Sequence, residues 1–427
     1  MNDNNRRAPT VGARALMFVA TGLAMLGNYY VYDSIGPVAD LLVRQLGYSD
    51  AQIGSLNAVY SLPNVFLVLV GGVLVDRFSA RLVVFWTTVI CLVGAALTAI
   101  GSYFPVMVLG RFLFGVGAET LAVATLVALA QWFLGRSFAL CMALNISLAR
   151  LGSYLADRSP SFARPLYEQG WQSALWLATG FAVLSLLGAS VYWLVDNREA
   201  KRGTLAIAPP SERIDWRNLL HFRAEYWYVV GVCVAFYAVI FPFRSTFAIK
   251  YLQHAHGLSL QDASRINSYV FLAAVIATPL FGLLVDRIGR HAILLVTGSL
   301  LLPLSFLFLT SGNVSLSIST ALLGVSFALV PAVLWPSVAR HVGTDQLGTA
   351  YGLMTMLQNV GLTLANVIVG YLNDSGNANA AHVQGYTAML WFFGLLSLTG
   401  FLFSVLLWRR DQSQQFRIPV PLQSIPK

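Results

Sequence analysis

The feature of this sequence that most constrains its fold is a succession of long apolar segments. One helix needs about 20 mostly apolar residues to cross a bilayer, and twelve runs of that kind follow one another along the chain. Strands of an outer-membrane barrel are only about 10 residues long and alternate in polarity. We therefore predict an all-α integral membrane protein with twelve transmembrane helices. The predicted segments are 14–34, 51–75, 82–103, 105–133, 137–157, 171–195, 225–249, 263–285, 291–311, 314–339, 347–372 and 385–408.

The charged residues of the chain are few and unevenly distributed. Only 11% of the residues are charged and 57% are hydrophobic, whereas ordinary soluble domains are about 25% charged. A net charge of +9 could suit nucleic acid, but 19 of the 27 Lys and Arg residues fall on the side that would hold the N-terminus. This is the positive-inside asymmetry of membrane proteins. It predicts a multi-pass protein with both termini in the cytoplasm.

The chain also repeats its own plan. Residues 196–224 are charged and contain proline, which predicts a cytoplasmic linker between a six-helix bundle at 1–195 and a second bundle with a short tail at 225–427. "GGVLVDRFSAR" follows the second segment and "FGLLVDRIGRH" follows the eighth, so that Asp76 and Asp286 are 210 residues apart. Repetition on this scale predicts two pseudo-symmetric bundles, which is the major facilitator plan.

The repeated motif has a structural interpretation. Its glycines permit two helices to approach closely, and its Asp-Arg pairs are expected to join helix ends on the cytoplasmic side and to close one face of a cavity. A third motif, "GRFLFGVGA", resembles the fourth-helix pattern of the same superfamily and gives Arg111 a packing or gating role, with substrate contact as the alternative. The predicted gating and structural set is Gly72, Asp76, Arg77, Arg81, Gly282, Asp286, Arg287, Arg290 and Arg111.

Two opposite charges are expected in the middle of the membrane. Glu119, in "FLFGVGAETLAVATLVALAQWF", lies 16 residues before Gly135, and Arg150 lies 15 residues after it. At 1.5 Å per residue each charge is roughly 23 Å from the turn, hence at almost the same depth. Such a charge costs at least ~2.5–3.5 kcal/mol on insertion scales and is a functional candidate. The pair is either a structural staple between two helices or a clamp in which Glu119 binds an ammonium and Arg150 a carboxylate.

Other polar and aromatic residues could line the same cavity. Tyr29 and Tyr32 lie in "GNYYVYD", Trp335 lies between two prolines in "PAVLWPSVA", and Gln358 lies in "TMLQNVGLTLAN". Helix packing is the alternative role for each. The predicted substrate-binding set is Glu119, Arg150, Trp335, Tyr29, Tyr32 and Gln358. Amino acids and peptides are the zwitterions that such a clamp would fit.

Several stretches together resemble the MFSD1 branch of the major facilitator superfamily. They contain "GAETLAVA", "ARLGS" and "LWPSVARHVGTDQLGTAYG". The resemblance implies a dipeptide uniporter in which Glu119 and Arg150 hold the peptide amine and carboxylate, with Trp335 as a supporting contact. The animal member is lysosomal and uses a dileucine signal and a glycosylated partner. "MNDNNRRAPTVGAR" has no such signal, so we expect a bacterial relative in the inner membrane.

The leading prediction is a secondary transporter that moves dipeptides or related zwitterions by alternating access. The alternatives are a proton-coupled exporter of drugs or organic ions, and a transport-dead receptor or scaffold. We find no nucleophile–base set, metal triad or nucleotide loop, so we predict no enzyme activity, no cofactor and no metal. The expected partners are the small-molecule substrate and the lipid bilayer, without nucleic acid, and the protein is expected to be a monomer.

Overall fold

All the regular secondary structure among the described residues is helical. The protein is represented by a computed structural model, in which the described residues are 9–133, 138–202, 222–288, 291–311, 314–343 and 346–415. Each of the twelve predicted segments falls on helix within these ranges. Nine helical stretches of the described residues are long and apolar enough to cross a membrane.

The first half of the chain contains nine helices among its described residues. Two of the apolar segments are each built from two shorter helices that meet at a break. The bounds are α1 Val11–Asp33, α2 Ile35–Leu46, α3 Asp50–Ser61, α4 Asn64–Phe78, α5 Ala80–Ile100, α6 Phe104–Phe133, α7 Phe138–Phe162, α8 Arg164–Gln169 and α9 Trp171–Lys201.

The second half follows the same order. Its first segment is again broken, here by a π-helical turn at Phe243–Phe247 that follows Pro242. The bounds are α10 Ala224–Pro242, α11 Ala248–His256, α12 Leu260–Ile288, α13 His291–Ser311, α14 Leu316–His341, α15 Leu347–Ser375 and α16 Thr387–Gln415, with a 3-10 turn at Val383–Tyr386 before α16. The predicted linker at 196–224 lies largely outside the described residues.

The helix breaks lie at equivalent positions in the two halves of the chain. Helix α1 ends at Asp33 and α10 ends at Pro242, a separation that is within one residue of the 210-residue spacing between Asp76 and Asp286. Pro37 has no N–H to continue the ladder of α1, and the Ser34 hydroxyl donates to the Val31 carbonyl at 2.8 Å. These bends let one segment leave its own bundle partway and contact the other half.

Three segments fall outside the group of nine apolar stretches, and they lie where the halves meet. One is the broken pair α3–α4, and the others are α7, which carries Arg150 and Asp157, and α12, which carries Asp262 and Arg265. Helix α3 packs against α15, and α7 packs against α12. Arg150 and Asp157 of α7 face the partner half, where they find groups that lipid cannot supply, whereas Asp262 and Arg265 pair with each other at the exposed start of α12.

At one end of the interface, the backbones of the two halves are in direct contact. We call the face that carries both ends of the described chain the terminal face, and the opposite one the distal face. A Cβ added at Gly54 of α3 would overlap the Asn366 carbonyl of α15, and one at Gly370 would lie 2.7 Å from the Ala51 Cα. Because α3 begins and α15 ends at the distal face, the two halves are pressed together there.

Candidate functional site

Arg150 lies in an aromatic box that both halves build. Its guanidinium carbon is 4.3 Å from the centre of the Phe327 ring, 5.7 Å from Phe271 and 6.0 Å from Phe241, all of them in the second half. Tyr29 of α1 adds a fourth ring at 5.7 Å. Ring faces attract cations within about 6 Å, so this box holds the positive charge without a carboxylate.

The Arg150 guanidinium lacks a hydrogen-bonding partner at one of its donors. Its Nη1 atom is buried and unpaired, and no carboxylate of the described residues lies within ion-pair distance of it. Glu119 is thus not its salt-bridge partner, although the two charges were expected at the same depth. An arginine fork without an anion is the usual receptor for a planar carboxylate.

Glu119 faces a group of tyrosines. Tyr29, Tyr32 and Tyr60 all lie within electrostatic range of its carboxylate, and Tyr60 is a hydrogen-bonding neighbour. The Tyr32 and Tyr60 rings are 4.6 Å apart. Tyr29 also contacts the Arg150 guanidinium. Tyr29 therefore connects the acidic and the basic ends of one site.

Trp335 and Gln358 approach the site from the second half. The Trp335 indole N–H donates to the Tyr237 hydroxyl at 3.3 Å, and Tyr237 stacks on Phe241, with ring centres 5.8 Å apart. Gln358 accepts a hydrogen bond from the Cys233 thiol at 3.4 Å, one helical turn before Tyr237. The predicted substrate residues are therefore linked through shared neighbours into one central cluster.

Arg111 borders that cluster at Tyr32 and Tyr60 and ties three helices together. It is 1% exposed, and its guanidinium donates to the Val31 carbonyl at 3.3 Å, the Tyr32 carbonyl at 3.3 Å and the Asn57 side-chain oxygen at 2.5 Å. These carbonyls belong to the last turn of α1, where the helix leaves acceptors free. Arg111 thus caps the break in the first segment.

The repeated motif at the terminal face is only partly described. Arg77 and Arg287 are exposed, and Arg81 pairs with Asp196 at 3.5 Å. The side chains of Gly72, Asp76, Gly282 and Asp286 lie outside those that the structure describes, as does Arg290. The charge pairs expected of this motif remain a prediction.

The sequence reasoning missed a buried charge cluster between the halves. Arg244, in the π-helical turn, donates to the Asp33 carboxylate and to the Asp157 carboxylate, both at 2.5 Å, and each of the three is at most 2% exposed. Asn267 donates to the same Asp157 oxygen at 3.1 Å. The only sequence signal was the presence of charges in apolar segments. We call Arg244, Asp33 and Asp157 the distal triad.

Further polar contacts join the halves beyond the triad. Lys250 pairs with Asp50, and the His254 ring lies 2.9 Å from Asp40. The Asp374 carboxylate accepts the backbone N–H groups of Asp50 and Ala51 at 2.7 and 2.9 Å. Where both partners are described, the hydrogen bonds between the halves all lie in the distal half of the molecule. The central cluster is therefore sealed from the distal face.

Comparison with known proteins identifies the family to which this fold belongs. The model of the Major Facilitator Superfamily matches residues 17–247 and 243–423. The chain is 32% identical over 410 residues to the lysosomal dipeptide transporter MFSD1 of Danio rerio, covering 93% of this chain and 87% of that one. It is 31% identical over 417 residues to the human protein of the same name, covering 94% and 87%.

A solved structure shares the fold at low sequence identity. It is a bacterial homologue of the human lysosomal transporter Spinster, in an inward-facing and unoccupied conformation, with a TM-score of 0.71, 14% identity and coverage of 94% of this chain and 99% of that one. The predicted fold class is confirmed, and so is the prediction that the chain is not an enzyme, because the family consists of transporters. This multi-pass membrane protein belongs to the Major Facilitator Superfamily.

Proposed function

We propose that this protein carries dipeptides or closely related zwitterions by uniport, through alternating access to the central cluster. Arg150 would bind the substrate carboxylate, Glu119 its ammonium group, and Tyr29, Tyr32, Trp335 and Gln358 would line the space around it. The names of the relatives, which are dipeptide transporters, support the proposed substrate class.

One observation carries the proposal: the central arginine has no anion of its own. Of the three arginines deep in the described structure, Arg244 has two carboxylates and Arg111 has carbonyl oxygens. Arg150 has aromatic rings and an unpaired Nη1. A buried charge without a partner is costly, and a ligand carboxylate would relieve that cost. A staple between α6 and α7 would instead pair Arg150 with Glu119.

The surroundings of the two charges favour a small organic zwitterion over inorganic ions. Ring faces lie within cation–π distance of the Arg150 guanidinium, and its Nη1 donor has no hydrogen-bond partner. The tyrosines near Glu119 add apolar ring surface and hydroxyl groups. A dipeptide presents the matching features, which are a carboxylate, an ammonium group and apolar carbon between them.

We further infer that the protein resides in the bacterial inner membrane as a monomer, with the terminal face in the cytoplasm. The excess of Lys and Arg in the loops of that face supports this orientation. The distal face would then be periplasmic, and the closed interface around the distal triad would be the gate that opens to load substrate.

The test is uptake of labelled Ala-Ala into proteoliposomes that contain the purified protein. We expect uptake down the peptide gradient without an imposed proton gradient, and competition by Ala-Ala but not by its N-acetyl or C-amide forms. Arg150→Gln and Glu119→Gln should each abolish uptake of labelled Ala-Ala. Matched controls are Arg158→Gln, farther along α7, and Glu168→Gln, which is exposed in α8. Competition by both capped peptides, or uptake driven only by a proton gradient, would contradict the proposal.

A further inference from the structure

The aromatic box around Arg150 belongs mainly to the half that does not carry Arg150. Three of its four rings are Phe241, Phe271 and Phe327, contributed by α10, α12 and α14. We propose that this box, and Phe327 above all, is the positioning element that gives the carrier its preference for a free carboxylate. The inference rests on the proposed function and assigns a role to residues of the second half.

The rings brace one another as well as the guanidinium. Phe327 meets Phe241 edge-on at 5.5 Å and Phe271 edge-on at 5.7 Å between ring centres. Phe271 and Phe327 are 1% and 4% exposed. Edge-to-face pairs at these distances are favourable, and buried rings change rotamer rarely. The box is therefore a rigid seat that fixes the plane of the Arg150 guanidinium.

A fixed plane matters because a carboxylate binds arginine side by side in that plane. A freely rotating guanidinium must be ordered when the ligand arrives, and that ordering lowers affinity. Phe327 presents its ring face to the cation at 4.3 Å, and the Nη1 donor of Arg150 has no hydrogen-bond partner. The ring thereby lowers the cost of forming the two parallel hydrogen bonds of a carboxylate. A C-terminal amide cannot form the charged pair and gains little from the same ordering.

Both halves of the protein contribute residues to the proposed carboxylate-binding site. Arg150 moves with the first half and the three phenylalanines with the second. Rotation of one half against the other would change the distances between them. The seat is assembled in the state seen here, in which the distal face is closed.

Phe327 is the best residue to test. Phe271 also lies 3.7 Å from the Arg244 guanidinium, so its loss would disturb the distal triad as well. Phe327 is the closest ring to Arg150, and its hydroxylated analogue is available as Phe327→Tyr. Phe306, also in the second half and 4% exposed, packs against Phe243 and Phe393 away from Arg150. Phe306→Leu is therefore a matched loss of volume.

The experiment compares the Kd of Ala-Ala with that of its C-terminal amide, using the purified full-length chain in detergent. For Phe327→Leu we expect the ratio of the two affinities to fall about tenfold, with binding of the amide almost unchanged. Phe327→Tyr and Phe306→Leu should keep the wild-type ratio. If Phe327 had a purely structural role, Phe327→Leu would weaken the binding of Ala-Ala and of its amide to the same degree. Phe241→Leu removes a more distant ring and should lower the affinity ratio less than Phe327→Leu does. It is the variant to measure if Phe327→Leu does not fold.

Two failures can be told apart. If the wild-type protein binds the acid and the amide equally, the carboxylate clamp is wrong and the role of the box falls with it. If the wild-type protein prefers the acid but Phe327→Leu and Phe241→Leu both retain the full preference, the proposed function stands and the positioning role is overturned. Loss of the preference in Phe306→Leu to the same degree would also overturn it.

Discussion

The distal triad offers the sharpest test of how the closed face is held. Arg244→Leu would leave the carboxylates of Asp33 and Asp157, both 1% exposed, close together and without their cation. Removing one partner of a buried ion pair typically costs about 3–5 kcal/mol. Opening of the distal face would let water reach both carboxylates and relieve that cost. We therefore expect the equilibrium to shift toward the distal-open state by about two to three powers of ten.

The assay needs a reporter in the interface. Ser264 is fully buried, its hydroxyl has no hydrogen-bond partner, and it lies on the face of α12 that also carries Asn267. We would introduce Ser264→Cys after replacing the three native cysteines and measure its labelling by a membrane-impermeant maleimide from the distal side. Arg244→Leu should raise the labelling rate at least about tenfold. Arg265→Leu removes an exposed arginine of the same helix and should not change it.

Three outcomes would refute this reasoning. An unchanged labelling rate with a wild-type melting temperature would mean that the triad does not hold the distal face closed. A lower melting temperature without faster labelling would mean that opening does not relieve the buried charge. A faster rate in Arg265→Leu would show that any charge change on α12 opens the interface.

Three further predictions use simpler assays. Glu119→Gln and Arg150→Gln should each keep nearly the wild-type melting temperature without ligand but lose the upward shift given by saturating Ala-Ala; a large drop without ligand, with the peptide shift retained, would favour a structural staple. Arg111→Leu should lower stability by about 3 kcal/mol, because it leaves buried carbonyls unpaired; a melting temperature equal to wild type would contradict this. For topology, a membrane-impermeant maleimide applied to intact cells should reach Phe162→Cys but not Leu205→Cys, and the reverse pattern would invert the orientation.

The helices were predictable because hydropathy reports them directly. Every predicted segment lies on helix, and the repeat around Asp76 and Asp286 was sufficient to indicate two related halves. The breaks were harder to foresee. Pro37 was visible in the sequence, but the extension of the first segment to Leu46 and the π-helical turn at Phe243–Phe247 depend on contacts with the other half. Periodicity within one segment contains no information about those contacts.

The fold brings the candidate site residues into one cluster, but their pairing was not predictable from the sequence. Helix rise placed Glu119 and Arg150 at one depth, yet depth does not specify the direction in which a side chain points. Arg150 points to rings of the second half, and Glu119 to tyrosines of the first. The distal triad joins Asp33, Asp157 and Arg244, which are 124 and 87 residues apart along the chain. No local pattern relates such residues, so only the assembled fold could reveal them.

The two arginines that share Phe271 suggest how substrate and gate communicate. Their guanidinium carbons lie 5.7 and 3.7 Å from the centre of that ring, so they are less than about 10 Å apart. With both carboxylates ionised, the distal triad carries one excess negative charge, and Arg150 is the neighbouring cation that offsets it. At an effective dielectric constant of about 20, this attraction is worth roughly 1.5–2 kcal/mol.

A substrate carboxylate bound to Arg150 would cancel that attraction and weaken the closed distal face. We therefore expect saturating Ala-Ala to raise the labelling rate of Ser264→Cys by about tenfold, whereas the C-terminal amide of Ala-Ala should have little effect. In Arg150→Gln the offsetting cation is already missing, so labelling should be faster without peptide and no longer respond to it. Slower labelling with Ala-Ala would show that the substrate stabilises the closed face, and would reverse the sign of this coupling.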